Sequence, residues 1–428
     1  MTRQSFFIKN VTLPGLGART LFLSGGLIQE IICKDIEEHQ FLSTKNTDKA
    51  SCRVIDAEGF IALPGLVDLH THLRNSRDGS IRDVTSAAIA GGYTTVSSMP
   101  NMHPVQDSPE AVNILKAIAK EDAVCDIRPV GAVTKGLRGN EITDMHSLLD
   151  AGVNIFSDDG NCVHDPGIIH QALSFAGRNN CVIAQHAQDP TLTKSAQGDT
   201  QGPIVAPKSL WPSIAESTIV ARDILLARAA NARLHVCHVS SQESVYAIAW
   251  GKSLGVQVTA EVTPHHLLFY DSLVMTGDTR FKVNPPLRSK ESVECLRDAL
   301  IRGVIDVVAT DHAPHRNKSP FWHSAPNGMT GLEFSVSVIQ KIFVNSGHLT
   351  WPEVVRIMSN KPAEILGMTP NTVKEGSAAN FFLYNPDVTR FVTFDDSLGP
   401  SVNSPYAGMN LPGKVMYTFY EGRLVFEN

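Results

Sequence analysis

Apolar and polar residues alternate in short pieces over the first ~60 positions, with Gly and Pro between them. That period of two predicts antiparallel strands. Phe6-Phe-Ile-Lys-Asn-Val, Thr20-Leu-Phe-Leu and Leu27-Ile-Gln-Glu-Ile-Ile are such pieces. The chain's last stretch reads the same way, in Asn380-Phe-Phe-Leu-Tyr, Arg390-Phe-Val-Thr-Phe and Lys414-Val-Met-Tyr-Thr-Phe-Tyr. Two β-rich ends around one central block predict that the termini meet in a single small domain, β-sandwich-like in kind. Residues 1–61 and 372–428 are its expected halves, and 62–371 the central block.

In that block the pattern becomes strand, loop, helix, repeated. Strands are expected near Leu66–His70, Tyr93–Met99, Asp126–Val133, Val153–Ser157, Cys181–His186, Arg233–Val239, Val256–Val262 and Asp306–Thr310. Apolar residues at helical spacing mark Ser108–Lys120, Asp165–Asn179, Ser213–Asn231, Gln242–Leu254 and Lys290–Arg302. Eight strands alternating with helices over ~300 residues is the arithmetic of an α/β fold of the (β/α)8 TIM-barrel type. A doubly wound open sheet competes, but no Gly-rich phosphate turn follows any of these strands.

Composition narrows the partners. The chain has 428 residues, 43% hydrophobic and 19% charged, with Lys+Arg 37 against Asp+Glu 43 and a net charge of −6. That rules out disorder and gives no basic field for nucleic acid or an anionic membrane. An anionic ligand must be held by a local cluster of positive groups. No apolar run has the ~18 residues of a membrane helix, and the N-terminus does not read as a signal peptide. Seven scattered cysteines without a C-x-x-C read as small buried hydrophobes of a reducing compartment, so a cytoplasmic protein is expected.

The sixteen histidines carry the chemistry. His70 and His72 close the first expected strand, Asp158 and Asp159 the fourth, His186 the fifth, His238 the sixth and Asp311 the eighth. All C-terminal strand ends of a barrel meet on one face, so these residues become neighbours there. Side chains alternate along a strand, so His70 and His72 share one face, and His238 takes the mouth while His235, of opposite parity, lies deeper. Four His with two or three Asp is an N/O donor set suited to Zn²⁺. It exceeds the needs of one tetrahedral ion, so a pair of metals about 3.5–4 Å apart is expected, bridged by a carboxylate and a hydroxide. One of Asp158 and Asp159, followed by Gly160, serves turn chemistry instead.

Asp68-Leu-His-Thr-His-Leu-Arg, Ser98-Met-Pro-Asn, Phe156-Ser-Asp-Asp-Gly, Val262-Thr-Pro-His-His-Leu, Asn284-Pro-Pro-Leu-Arg, Ala309-Thr-Asp-His-Ala-Pro-His and Gly331-Leu-Glu occur in that order. Together they resemble the bacterial class I dihydroorotases of the amidohydrolase superfamily, from about Pro64 to Gly367. The His-x-His motif belongs to the whole superfamily, while the Ser-Asp-Asp-Gly and Asn-Pro-Pro-Leu-Arg segments point to dihydroorotase. The resemblance implies zinc-dependent, reversible closure of N-carbamoyl-L-aspartate to L-dihydroorotate plus water, a step of pyrimidine biosynthesis. It implies that His70, His72 and Asp311 hold the more buried ion, that His186 and His238 hold the second, and that Asp159 bridges both. Asp311 would also carry the proton between nucleophile and leaving nitrogen. Arg74, Asn101 and His315 would hold the substrate carboxylate, with His72 close by. Asn284 would meet the ring's polar edge, and the Asn327-Gly328 loop would close over it.

The chain departs from that pattern in three places. Asn75-Ser-Arg-Asp-Gly replaces a common Glu-Pro-Gly continuation and shortens the loop, Gln188 stands where an acid is usual, and Asn327 replaces a common aromatic. Among relatives, hydantoinases and allantoinases usually carry a bridging Lys at the end of strand four. The nearest candidate here, Lys135, follows strand three and reads as a loop cation. A non-catalytic dihydroorotase-like partner of aspartate transcarbamoylase would lose the metal histidines, which this chain keeps. Expected partners are a small-molecule substrate, a second copy in a homodimer and aspartate transcarbamoylase.

Overall fold

Every second residue of Phe6, Ile8 and Leu21, Leu23 is buried on one face of a sheet, while Phe7 and Phe22 fill the other. That two-sided burial explains why both termini are so rich in aromatic and β-branched residues. The computed structural model describes residues 4–33, 41, 52–74, 80–197, 211–398 and 403–428. Strand β1 (Ser5–Leu13) pairs antiparallel with β2 (Gly17–Ser24), and β2 with β3 (Leu27–Cys33). The β2–β3 turn is Gly25-Gly26 with φ +63° and +90°, the left-handed pair that a two-residue hairpin demands. β4 (Cys52–Asp56) and β5 (Ile61–Pro64) run parallel to β1.

Gly65 alone separates β5 from the first barrel strand, and a Cβ there would lie 2.2 Å from Thr94 Oγ1, so the close passage requires glycine. The barrel strands are β6 (Leu66–Thr71), β7 (Tyr93–Ser98), β8 (Asp126–Gly131), β9 (Ile155–Phe156), β10 (Val182–Gln185), β11 (Arg233–Val236), β12 (Val258–Val262) and β13 (Val307–Val308). They pair in chain order, all parallel, and all eight fall within the expected stretches to within a residue. Among the described residues no ladder joins β13 to β6. The seam is held by a single bridge between Thr71 and His312, by His72 N–H donating to the His312 carbonyl at 2.9 Å, and by a side chain. Asp68 on β6 accepts from Thr310 N–H at 3.1 Å and from its hydroxyl at 2.5 Å. Its carboxylate therefore stands in for ladder bonds that β13 is too short to make. Burial pushes the Asp68 carboxyl up to about 7.

Helices α1 (Ile81–Ala90), α2 (Pro109–Asp122), α3 (Pro166–Asn179), α4 (Ile214–Ala230), α5 (Gln242–Ser253) and α6 (Lys290–Ile301) wrap the sheet. Side chains of Ser80, Ser108, Asp165, Ser241 and Ser289 cap α1, α2, α3, α5 and α6 by accepting from first-turn N–H groups. α1 was not among the expected helices, although Ser80 and Asp83 form a complete capping box. The chain also coils between residues 335 and 365 where no helix was expected. Ser335–Ile339 is buried all round, so it lacks the one-sided periodicity that announces a surface helix.

The chain then returns to the terminal sheet as β14 (Phe381–Phe391), β15 (Asn410–Tyr420) and β16 (Arg423–Glu427). β14 pairs antiparallel with β5, which crosses the 61/62 division, so the two ends share one sheet. Alternate residues of β14 serve two cores: Phe381 and Leu383 pack within the sheet domain, Phe382 and Tyr384 against the barrel. Fully burying each such ring is worth about 1.5–3 kcal/mol, so a few large side chains fasten the barrel to its satellite. Among the described residues no helix is long and apolar enough to cross a membrane.

Candidate metal centre

The strand ends bring His70, His72, Asp159, His186, His238 and Asp311 into one buried cluster. Asp159 sits at its middle and divides its two oxygens. Oδ2 lies 3.2 Å from His70 Nε2 and 3.3 Å from His72 Nε2. Oδ1 lies 3.2 Å from both His186 Nδ1 and His238 Nε2. Asp311 Oδ1 stands on the first side only, 3.0 Å from His72 Nε2 and 3.6 Å from His70 Nε2.

The outward nitrogens decide what the inward ones can do. His70 Nδ1 lies 2.6 Å from the Glu261 carboxylate, His72 Nδ1 3.0 Å from Asn101 Oδ1, and His186 Nε2 2.8 Å from Gln188 Oε1. Each partner is an acceptor, so each ring places its N–H outward and turns a lone pair toward the carboxylates. Lone pairs facing lone pairs repel, and a divalent cation between them reverses the sign. His70 Nε2 is buried with no hydrogen-bond partner, and His186 Nδ1 and His238 Nε2 approach to 2.8 Å. This donor set fits metal ions, with rings oriented from behind as metal-binding imidazoles usually are.

The titration of the cluster points the same way. Burial works to raise the Asp159 and Asp311 carboxyls, yet the facing His70 first, and the other facing rings after it, hold both well below the usual carboxylate range. Burial alone would depress His70, but Asp159, Glu261 and Asp311 raise it well above an ordinary histidine. Both directions express one demand for positive charge at the centre. Two of the residues also occupy left-handed backbone, His238 at φ +32° and Asp311 at φ +49°. A non-glycine residue there costs of order 1–3 kcal/mol, which suits side chains that must turn inward just past a strand end.

Asp158 does something else. It accepts from Thr134 N–H at 2.9 Å and from the Thr134 hydroxyl, tying the turn after β9 to the loop after β8. His235 lies deeper, as its parity predicts, between Thr259 Oγ1 at 2.9 Å and Glu261 Oε2 at 3.0 Å. Lys135 is exposed and pairs with Glu141 at 2.5 Å, away from the cluster.

The residues expected to touch substrate are more dispersed. Asn101 backs His72, and Asn284 Nδ2 donates to Gln188 Oε1 at 2.7 Å while lying 3.1 Å from His186 Nε2. His315 Nε2 meets the Asn327 carbonyl at 2.8 Å, and Gly328, at φ +125°, packs where a Cβ would strike Ala313. Arg74 lies close enough to His312 to assist burial in pressing that ring down to about 3. The altered loop 75–79 lies outside the described residues. A cavity of about 460 Å³ opens beside the cluster, lined among others by Arg138, Gly160, Gln188, Trp211, Asn284 and Asn327. Arg138, Trp211 and Glu261 had not been singled out in the sequence. Glu261 is the most telling of them: the carboxylate interrupts the apolar run Val258-Thr-Ala-Glu-Val and is buried, where His70 and His235 hold its pKa down to about 2 against the cost of burial.

Comparison with known proteins agrees with this geometry. A family description, Dihydro-orotase-like, matches residues 59–244. The dihydroorotase of Leifsonia xyli is 43% identical over 99% of this chain and 96% of its own length. Those of Streptomyces coelicolor and Mycobacterium tuberculosis are each 44% identical, over 88% and 87% of this chain and 91% and 89% of theirs. Among solved structures, the L-hydantoinase (dihydropyrimidinase) of Arthrobacter aurescens superimposes with a TM-score of 0.85 at 26% identity, covering 100% of this chain and 96% of that one. The dihydropyrimidinase of Brevibacillus agri shares the fold, with a TM-score of 0.84 at 24% identity over 99% of this chain and 95% of that one. With that identity along nearly its whole length, the chain belongs to the dihydroorotase family, metal-dependent cyclic-amide hydrolases of the amidohydrolase superfamily.

Proposed function

We propose that this chain catalyses the reversible closure of N-carbamoyl-L-aspartate to L-dihydroorotate plus water, in the cytoplasm, with two zinc ions per subunit. The observation that carries the reading is Asp159, whose two oxygens each face one histidine pair. A shared carboxylate is what a pair of ions needs, and Asp159 offers one oxygen to each side of the cluster. His70, His72 and Asp311 would hold one ion and His186 and His238 the other. When bound, such a pair lowers the pKa of a water and polarises a carbonyl oxygen.

The side chains do the rest. In the hydrolytic direction Asp311 takes the proton from the attacking water and returns it to the ring nitrogen as the amide C–N bond breaks. In the biosynthetic direction the ureido nitrogen attacks the side-chain carboxyl carbon and gives its proton to Asp311, which passes it to the departing oxygen; with one further proton taken up from solvent, that oxygen leaves as water. Arg74, Asn101 and His315 hold the free carboxylate, a task suited to a guanidinium fork. Asn284 and the Asn327-Gly328 segment bound the ring from the cavity wall. The Arg74→Ala variant should raise KM by about 10–100-fold, the worth of one charged hydrogen-bonding pair, with zinc content unchanged. A KM equal to that of the parent chain removes the carboxylate clamp.

The hydantoinase-like fold neighbours supply the rival reading, hydrolysis of a different cyclic amide. Turnover measured on dihydroorotate, hydantoin and allantoin, with metal analysed in the same sample, decides between them. Preference for either of the last two overturns the proposal, and a metal-free, inactive chain would instead fit a non-catalytic partner of aspartate transcarbamoylase. Homodimer formation and association with aspartate transcarbamoylase are the partner proposals, and sedimentation of the chain alone and with that enzyme tests both.

A further inference from the structure

The two halves of the cluster are backed differently. On the first side two carboxylates face the rings, Asp159 Oδ2 and Asp311 Oδ1, and His70 is polarised from behind by the buried Glu261 carboxylate at 2.6 Å. On the second side one carboxylate oxygen, Asp159 Oδ1, serves both His186 and His238. His186 leans on a neutral acceptor, Gln188 Oε1, at 2.8 Å. That same oxygen also accepts the Asn284 amide at 2.7 Å, so its partial charge is divided between two donors. A carboxylate behind an imidazole makes the ring a better electron donor, whereas a shared amide carbonyl does so weakly.

We infer that Gln188 is a positioning residue that keeps the His186–His238 pocket the weaker of two zinc sites, so that this ion exchanges while the His70–His72 ion stays. The inference rests on the paired-ion reading of the cluster. Gln188 reaches zinc only through His186: it fixes the ring's outward N–H and so aims Nδ1 at Asp159, while withholding the full negative charge that Glu261 gives His70. It also couples the pocket to the cavity, because Asn284 bonds the same oxygen and lines the space beside it.

The experiment is zinc retention by the full chain, loaded to saturation and then equilibrated against graded free zinc set by a chelator, for the parent, Gln188→Glu and Gln188→Leu. The parent should release two equivalents in separate steps, the first at about 10–100-fold higher free zinc than the second. Gln188→Leu should shift the loose step a further ~10-fold toward higher free zinc and leave the tight step in place. Gln188→Glu, which keeps both hydrogen bonds and adds charge, should shift the loose step ~10-fold the other way. Release of both equivalents together, or variants that leave the loose step unmoved, overturns the inference. Saturation at a single equivalent in all three proteins refutes the paired-ion reading itself and takes the inference with it. A merely structural role for Gln188 would move both steps or neither, and the Glu variant guards against a Leu variant that folds poorly.

Discussion

Asp159→Asn should strip the chain of both zinc ions and lower turnover on dihydroorotate by about 10⁴-fold, while leaving the barrel folded. Each histidine pair is aimed at one oxygen of this carboxylate, and an amide offers one acceptor oxygen and one NH₂ in their place. Loss of a group that merely backs a ligand costs ~10–100-fold in metal affinity, and loss of a ligand common to two ions costs more at both. The fold should survive, because the apolar core of the barrel, Val67, Leu69, Val130, Ile155, Val182 and Ala184 among others, does not include it. The neighbouring Asp158→Asn variant should show the reverse. Its carboxylate holds Thr134 and no histidine, so zinc content and turnover should change little while stability falls by about 1–3 kcal/mol. Zinc per chain, turnover and the denaturation midpoint of the two variants test this together. A zinc-loaded, active Asp159→Asn protein, or an Asp158→Asn protein that loses metal, would reverse the assignment of the pair.

That pair also marks where the sequence stopped being readable. The period-two rule placed His70 and His72 on one face, and β6 does lead directly into them; β11 contains His235 but ends at Val236, so His238 turns inward from left-handed backbone just past the strand. The rule had no hold on Asp158 and Asp159, since β9 is only Ile155–Phe156 and the chain has left strand geometry by the time it reaches them. There the family resemblance, not periodicity, pointed to Asp159. Glu261 was legible in principle, as a lone acid in an apolar strand, yet its work is to orient His70 and the His238 main chain from behind, and no motif names such a role. Asn101 and Asn284 were read as substrate contacts. In the structure each amide is already engaged around a histidine, which leaves only part of its hydrogen-bonding capacity for a ligand. Packing that is uniform around a segment was equally silent, as at Ser335–Ile339.

Asp311→Asn should lower kcat by about 10³-fold while zinc stays bound. The substitution is chosen for the backbone as much as for the charge: at φ +49° asparagine is among the few residues that sit comfortably, so the variant keeps the turn past β13 where alanine would strain it. It also keeps an oxygen near His72 Nε2, 3.0 Å away in the parent, and His70, His72 and Asp159 remain to hold the ion. What it removes is the carboxylate's ability to accept a proton and hand it on. General acid–base contributions of ~10²–10⁴-fold are typical, and the ionised carboxylate of Asp311, facing His72, is the group proposed to make one. Because the substitution cannot alter the equilibrium between dihydroorotate and N-carbamoyl-aspartate, kcat/KM must fall by the same factor in both directions. That equality is an internal check on the assay. Turnover expressed per bound zinc then separates the two roles of the residue: if activity is lost only in proportion to metal, Asp311 is a ligand and no more. If metal is full and turnover is within about tenfold of the parent, the proton is carried by some other group.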